Sequence, residues 1–260
     1  MTPALDIQPR TRTGGPSAVL RADPSAGNLI KEERKTVVWR QSLPDGTPAV
    51  MKLYRHRKPS WLERRGWYTG RAEREYRALC HAADHGVACS EPLFWAVGET
   101  GATGKYELLA TREVAGASDM KDWLDQHPGA MPPNLNSLFA LIATLHRSGL
   151  QHGALLARNT LLAGHAYALI DFPRSQHFGQ SIEGRPAGWF DLKVLLQSLT
   201  PYLPDAPLVE GLAGYPRLPC SGETLVKSMR RQPLNNRRLN ILHAVYTVQS
   251  GWSRLFCRQP

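Results

Sequence analysis

Cysteine is scarce in this 260-residue chain, and its four copies (Cys80, Cys89, Cys220 and Cys257) never fall in a CxxC spacing. That excludes a sequence-evident zinc site and a disulfide framework, and it predicts a reduced, cytoplasmic protein. Long apolar runs are also missing. No stretch reaches the ~18–20 apolar residues of a membrane-spanning helix. The first residues, MTPALDIQPRTRTGGPS, lack the apolar core of a secretory signal, so no leader is expected. Acidic residues are in deficit. Asp and Glu number 22 against 32 Lys and Arg, for a formal charge of +10 and a pI near 9.7. A surplus of this size predicts an anionic partner: nucleotide, phosphorylated glycan, membrane surface or nucleic acid. Hydrophobic residues are not lacking. At 42%, with 21% charged, they suffice for a buried core.

The pattern along the chain changes once. Residues 1–17 are polar and rich in Thr, Pro and Gly, and read as a flexible tail. Residues 35–54, KTVVWRQSLPDGTPAVMKLY, place two β-type runs around Pro44-Asp45-Gly46 and predict an antiparallel hairpin. An earlier strand is expected within 18–21 or 28–30. A basic connector follows, and then a helix from Arg71 that Gly86 ends, with Tyr76, Leu79 and Cys80 on one face. Residues 92–97 and 106–113 read as two more strands. Beyond a small-residue linker at 114–118 the chain reads as mostly helical. Helices are expected over 119–125, over 136–147 capped by Asn136 or Ser137, and over 188–199. A short apolar strand covers 166–171, and 201–219 reads as a proline-rich loop. Two basic helices, 223–231 and 236–250, close the chain. The predicted class is α+β: a sheet-rich part with one helix over 18–114 and a helical part over 115–260.

Several residues within this pattern could carry chemistry. Lys52 lies inside the apolar strand AVMKL. Its ammonium either snorkels to solvent or binds a phosphate. Glu75, on the helix, can lie beside a buried face and pair with Lys52. The stretch LHRSGLQHGALLARNTLL carries His152 on a loop and ends at Asn159. Asp171 stands at the end of the strand YALI. Strand-end carboxylates and loop asparagines are suitable oxygen ligands for Mg2+. Asp191 falls near the start of a buried helix, where it can interact with the helix terminus.

Lys52 in AVMKLY, Glu75 in EYRAL, HGALLARN, IDF and DLKVLL occur in the order and spacing of the protein-kinase-like fold. Over residues 18–200 the chain resembles the lipopolysaccharide core (Kdo/heptose) kinases, InaA-type proteins included. The resemblance implies a two-lobed fold and an ATP-dependent kinase acting on a heptose or Kdo of the inner core, with ATP and Mg2+ as cofactors. It implies that Lys52, held by Glu75, binds the α/β-phosphates. His152 would shape the catalytic loop, Asn159 and Asp171 would hold Mg2+, and Asp191 would brace the loop. Residues 111–114, with Glu113 and Val114, would lie against adenine.

The chain departs from the family pattern in three places. Where the loop H-x-D-L-x-x-x-N carries its proton-accepting aspartate, the chain has Ala154. Pro173 stands where the metal motif usually has glycine. No GxGxxG precedes Lys52; the turn carries Lys31-Glu32-Glu33-Arg34-Lys35 instead. A pseudokinase that binds nucleotide, glycolipid or a partner is therefore the alternative reading.

The basic surplus is concentrated. Residues 52–77 hold nine Lys and Arg against three acids, and residues 224–260 hold seven with no acid. Solvated helix faces explain single residues. Two such one-sided clusters, with Trp61 and Trp67 in the first, suit an anionic glycolipid or the inner face of a membrane. Nucleic acid rests on charge alone and is set aside.

Overall fold

The computed structural model describes residues 5–12, 19–55, 70–100 and 104–231. They divide into two compact units. One comprises Met1–Cys80 and Ser90–Val114, the other His81–Cys89 and Ala115–Pro260.

The first unit is built on a five-stranded antiparallel sheet of order β3-β4-β5-β7-β6, with β3 at Asn28–Glu33, β4 at Thr36–Ser42, β5 at Pro48–Tyr54, β6 at Pro92–Thr100 and β7 at Gly104–Arg112. The expected hairpin is β4–β5, in unbroken register from Thr36↔Tyr54 to Ser42↔Pro48. Its Asp45 carboxylate accepts from the Thr47 amide at 2.9 Å, an Asx contact that closes the turn. Period-two alternation sends Val37, Trp39, Ala49, Met51, Leu53, Leu108 and Ala110 into one core face. Their neighbours Val38, Val50, Lys52 and Leu109 lie on the opposite face, because Val38↔Lys52↔Leu109 are cross-strand partners.

The polar tail expected over residues 1–17 contains a strand. β1 (Leu5–Ile7) pairs with β2 (Leu20–Ala22), and Leu5 and Ile7 are buried in the same core. Arg10 and Trp95 then exchange backbone hydrogen bonds at 2.7 and 3.0 Å. A three-residue strand in polar surroundings has too short a period to be read from sequence. Of the stretches in which an earlier strand was expected, 28–30 falls in β3 and 18–21 overlaps β2 at Leu20 and Arg21, with residue 18 outside the described residues.

Helix α1 (Arg71–Asp84) follows, and Gly86 takes a positive φ of 71° two residues after its end. Its N-terminus is capped from the sheet. The Glu107 carboxylate accepts from the Ala72 amide at 2.8 Å, an acid at a helix N-terminus.

The second unit is mostly helical. Strand β8 (Ser118–Asp119) leads into α2 (Met120–Gln126), whose N-cap Asp119 accepts from the Asp122 amide. Helix α3 spans Leu135–Arg147, and its cap is Asn134 rather than Asn136 or Ser137. Asn134 adopts φ 50° and accepts from the Ser137 amide, so the helix begins one residue earlier than expected. Short strands β9 (Leu150–Gln151) and β12 (Gln176–His177) pair with each other. Between them, β10 (Thr160–Ala163) and β11 (Ala166–Leu169) form a hairpin, and β10 also pairs with β8.

Helix α4 (Pro186–Leu199) buries Leu192, Leu195, Leu196 and Leu199. The stretch 201–219, expected as loop, contains α5 (Asp205–Gly211) and a 3-10 turn (Leu212–Gly214). Pro207 is tolerated there because it sits in the first turn, where amides lack intrahelical partners. Helix α6 (Gly222–Arg231) is tied down by Arg230, which donates to the Thr200 carbonyl at 2.7 Å and the Leu203 carbonyl at 2.5 Å. The second basic helix, expected over 236–250, lies outside the described residues, as does the connector carrying Trp61 and Trp67.

Trp39 is fully buried in the sheet core, whereas Leu29 on edge strand β3 is 54% exposed. Trp39→Ala is expected to destabilise by about 3–5 kcal/mol, through lost burial and a residual cavity. Leu29→Ala is expected to stay within about 0.5 kcal/mol. Urea unfolding of the two variants checks the contrast.

Candidate functional site

Two groups of residues concentrate the chemistry, one in each unit. In the first, Lys52 Nζ donates to both Glu75 carboxylate oxygens, at 3.1 and 3.2 Å. Glu75 is only 2% exposed and Lys52 16%. Tyr54 lies two residues along the same strand face and donates its hydroxyl to Glu75 Oε2 at 2.5 Å. The Lys52 ammonium also stands over the Tyr54 ring, 5.3 Å from its centroid. A buried carboxylate is costly unless its lone pairs are satisfied, and here a cation and a hydroxyl satisfy them. The snorkelling alternative for Lys52 is thereby excluded: its ammonium turns inward to Glu75. Beside it, Val38, Val50 and Leu109 supply an apolar surface on the same sheet face.

The residues 111–114 lie at the end of β7. The Glu113 amide donates to the Pro48 carbonyl at 3.0 Å, and its carboxylate accepts from Arg40 at 2.6 Å. Both belong to a cavity of about 590 Å³ lined further by Arg21, Asp23, Asn28 and Ser42. The Glu113 carboxylate is therefore committed to an ion pair at the sheet's edge.

In the second unit, the β10–β11 hairpin brings Asn159 and Asp171 together. Thr160 pairs with Leu169, and the Ile170 amide donates to the Asn159 carbonyl at 3.0 Å. Asn159 thus immediately precedes the hairpin's open end, and Asp171 follows it. The Asn159 side-chain nitrogen donates to the Ala154 carbonyl at 2.8 Å. Asp171 adopts φ 67°, a left-handed conformation that costs a non-glycine residue ~1–2 kcal/mol. Such strain persists only where surrounding contacts impose it. Pro173 occupies the second position of a turn closed by the Ser175 amide on the Phe172 carbonyl at 3.1 Å, a place where proline's fixed φ fits.

His152 and Asp191 hold the loop between them. His152 is fully buried, and its Nε2 donates to the Ile170 carbonyl at 2.9 Å. That bond fixes the tautomer and leaves Nδ1 as an acceptor facing the Ala154 amide. Burial pushes the His152 pKa below its ordinary value, against the opposing pull of Asp191, so the ring is neutral. Asp191 is also fully buried, with three donors. The amides of His152 and Gly153 donate to its two oxygens at 2.7 and 2.9 Å, and His146 Nε2 donates to Oδ2 at 3.2 Å. Tyr215 in turn donates its hydroxyl to His146 Nδ1 at 2.8 Å. Gly153 is required as glycine. Its φ is 77°, and a Cβ would come 2.3 Å from the Arg174 carbonyl oxygen.

The structure therefore joins Lys52 to Glu75, and Asn159 to the segment carrying Asp171. Asp191 acts on the loop's backbone rather than on its own helix terminus. Sequence reading missed three contributors. Tyr54 could have been found by its period-two spacing from Lys52. Glu107 and Tyr215 gave no signal, since each meets its partner only through tertiary packing. Among the described residues, no group of three or more His, Cys, Asp or Glu side chains is placed to hold a metal ion. An Asp–Asn oxygen pair nevertheless fits Mg2+, which commonly takes one or two protein ligands and completes its shell with phosphate and water.

His152 sets a pH dependence. Its unfolded pKa is about 6.5 and its folded pKa is lower. Below pH 6.5 the unfolded chain binds a proton that the folded chain refuses, so this contribution to stability is complete above that pH and is lost as pH falls. One such group gives at most about 1.4 kcal/mol per pH unit. Urea unfolding from pH 8 to 5 is expected to show a shallower loss in His152→Gln than in wild type.

The comparisons with known proteins bear on the family and the fold. The model of the lipopolysaccharide kinase (Kdo/WaaP) family matches residues 27–213. Among solved structures, the chain is similar to a WaaP in complex with acyl carrier protein, with a TM-score of 0.53 and 18% identity over 87% of this chain and 90% of that one. That likeness shows a kinase-like fold. Two curated relatives, each named as a probable bifunctional tRNA threonylcarbamoyladenosine biosynthesis protein, come from Methanosarcina mazei and Methanosarcina acetivorans. Each is 29% identical over 188 residues, or 70% of this chain. The chain spans 30% of the length of these relatives. With the family's model matched over residues 27–213, more than half of its length, the chain belongs to the lipopolysaccharide kinase (Kdo/WaaP) family.

Proposed function

We propose that the chain binds ATP and Mg2+ and phosphorylates a sugar, heptose or Kdo, of the lipopolysaccharide inner core. The observation that carries this reading is the inward-turned Lys52–Glu75 pair, braced by Tyr54. A lysine fixed by a buried carboxylate presents its ammonium in one place, as phosphate binding requires. In this reading Lys52 takes the α/β-phosphates, and residues 111–114 with Val38 and Val50 lie against adenine through backbone and apolar side chains. Asn159 and Asp171 hold Mg2+. His152 and Asp191 position the loop and exchange no proton. ATP supplies the transferred phosphoryl group, and Mg2+ the neutralisation of its phosphates.

The acceptor and the location belong to the same proposal: an anionic glycolipid, met at the cytoplasmic face of the inner membrane by peripheral association. Among the described residues no helix is long and apolar enough to cross a membrane. The basic clusters support the acceptor reading less than their counts suggest. Arg55 pairs with Glu32, Arg77 with Glu73, Lys227 with Glu223 and Arg230 with Asp205. The tRNA-related relatives match over 188 residues alone, and their named role is not carried over.

Ala154 favours a second reading, a pseudokinase that binds nucleotide or glycolipid without turnover. The loop around it is fully braced yet carries no proton acceptor at that position. Phosphoryl transfer depends chiefly on positioning and electrostatics, and a general base adds typically ~10²–10⁴-fold.

A thermal-shift titration with ATP and Mg2+ is expected to stabilise the wild type and to have no effect on Lys52→Ala or Asp171→Ala. Absence of any shift in the wild type sinks the nucleotide reading. If only the base is missing, Ala154→Asp raises phosphoryl transfer to lipopolysaccharide core by about 10²-fold or more. Nucleotide binding with no transfer in either form favours the pseudokinase.

A further inference from the structure

The cavity of about 590 Å³ in the first unit lies where β4 ends and β5 begins. Its volume falls within the roughly 300–1,000 Å³ typical of small-molecule sites. Its wall is fastened by side chains. Gln41 accepts from the Asp23 amide at 3.2 Å and donates to the Arg21 carbonyl at 2.8 Å, so one residue of β4 holds the segment that leads out of β2. Trp39 Nε1 donates to the same Gln41 oxygen at 3.1 Å and fixes its orientation. Gly27 presses on β4 so closely that a Cβ there would come 2.4 Å from the Arg40 carbonyl oxygen. A wall already in place spares a ligand the cost of ordering loops on binding.

The lining carries two guanidinium groups, Arg21 and Arg40, and two carboxylates, Asp23 and Glu113, so its formal charges cancel. Arg40 Nε donates to Glu113 Oε1 at 2.6 Å, and Arg21 stands 3.9 Å from Asp23. Asp23 Oδ1 accepts from the amide and the hydroxyl of Ser25, at 2.9 and 2.6 Å. Three side chains of the lining share one sheet face. Asn28 on β3 is the cross-strand partner of Arg40, and Ser42 lies two residues beyond Arg40 on β4. Among the described residues the Asn28 amide group and the Ser42 hydroxyl make no hydrogen bond, and Arg40 and Glu113 make one side-chain bond each, to one another. Donors and acceptors are therefore left over side by side: the Arg40 terminal nitrogens, Glu113 Oε2, both ends of the Asn28 amide and a hydroxyl. Phosphate calls for donors and positive charge, and this lining has acceptors and no net charge. A hydroxyl both donates and accepts, so adjacent hydroxyls on one ring match such a mixed, neutral set.

We propose that this cavity is a carbohydrate site that takes a neutral sugar, with Asn28, Arg40 and Ser42 as its hydrogen-bonding groups. The nucleotide reading uses the backbone of residues 111–114 and not these side chains, so the two stand or fall separately.

Free heptose serves as the probe, in an NMR titration of the full chain as wild type, Arg40→Gln and the double variant Asn28→Ala/Ser42→Ala. Asn28 and Ser42 are both exposed, and the double variant is expected to keep the wild-type urea midpoint. It is expected to bind heptose about five-fold or more weakly, as is Arg40→Gln, with the affinity of the double variant for ATP and Mg2+ unchanged. Heptose affinity that is unchanged in both variants, or a wild type that binds no heptose, overturns the proposal. So does displacement of heptose by saturating ATP in the wild type, which would put the sugar in the nucleotide's own site. A wild type that binds heptose but not ATP, with the loss in both variants, supports the sugar site and ends the nucleotide reading alone.

Discussion

The second unit's chemistry depends on one buried carboxylate. Asp191 has no solvent exposure, and the two amides and one imidazole donor that it gathers are buried with it. An ionised carboxylate in such a place is costly unless each lone pair meets a donor. The same condition makes it a strong organiser. Asp191 is presented by α4, a helix anchored by four buried leucines, and it grips successive amides at His152 and Gly153. Two adjacent amides can both point at one carboxylate only if the chain turns sharply, and Gly153 takes the positive φ that allows this. The loop's path is thereby set before any side chain on it acts. Tyr215 completes the chain of donors through His146, with each imidazole nitrogen given a single role.

The first unit shows the same economy with a different partner. Glu75 is buried on α1, and Lys52 and Tyr54 reach it from alternate positions of one strand. The helix is located by a second carboxylate, Glu107 on β7, which holds its first turn at the Ala72 amide. β5 and β7 are neighbours in register, Tyr54 opposite Glu107, so one pair of strands fixes both ends of the arrangement. Removing Glu75 would strand an ammonium and a hydroxyl in a buried setting. Loss of one member of a buried pair commonly costs about 3–5 kcal/mol.

Much of this was legible in the sequence where the signal was local. The β4–β5 hairpin follows from two alternating runs around Pro-Asp-Gly, and α1, α3 and α4 follow from apolar residues at helical spacing. The pairing of Lys52 with Glu75 was open to the sequence because Glu75 can lie beside a buried helix face, whereas the bracing role of Asp191 was reached through resemblance to a family. The misses share one physical cause. β1 is three residues long and acquires its meaning from β2 and the sheet beneath it. α5 begins at a proline-bounded turn and is held by packing and by Arg230 from α6. Tyr215 lies 69 residues from His146. In each case long-range contact supplied what local propensity did not.

Ala154 stands out against this background. A loop that had simply decayed would lose its supports along with its acid, since buried polar networks are costly once incomplete. Here every support is in place. His152 is neutral and donates to Ile170, Asn159 closes the ring onto Ala154 itself, and Asp191 satisfies both amides. The Asn159 contact uses the backbone carbonyl of residue 154, so it is indifferent to that residue's side chain. The architecture can therefore change the chemistry at position 154 without cost to its own stability. The missing carboxylate thus bears on the loop's chemistry, and not on whether the loop is formed.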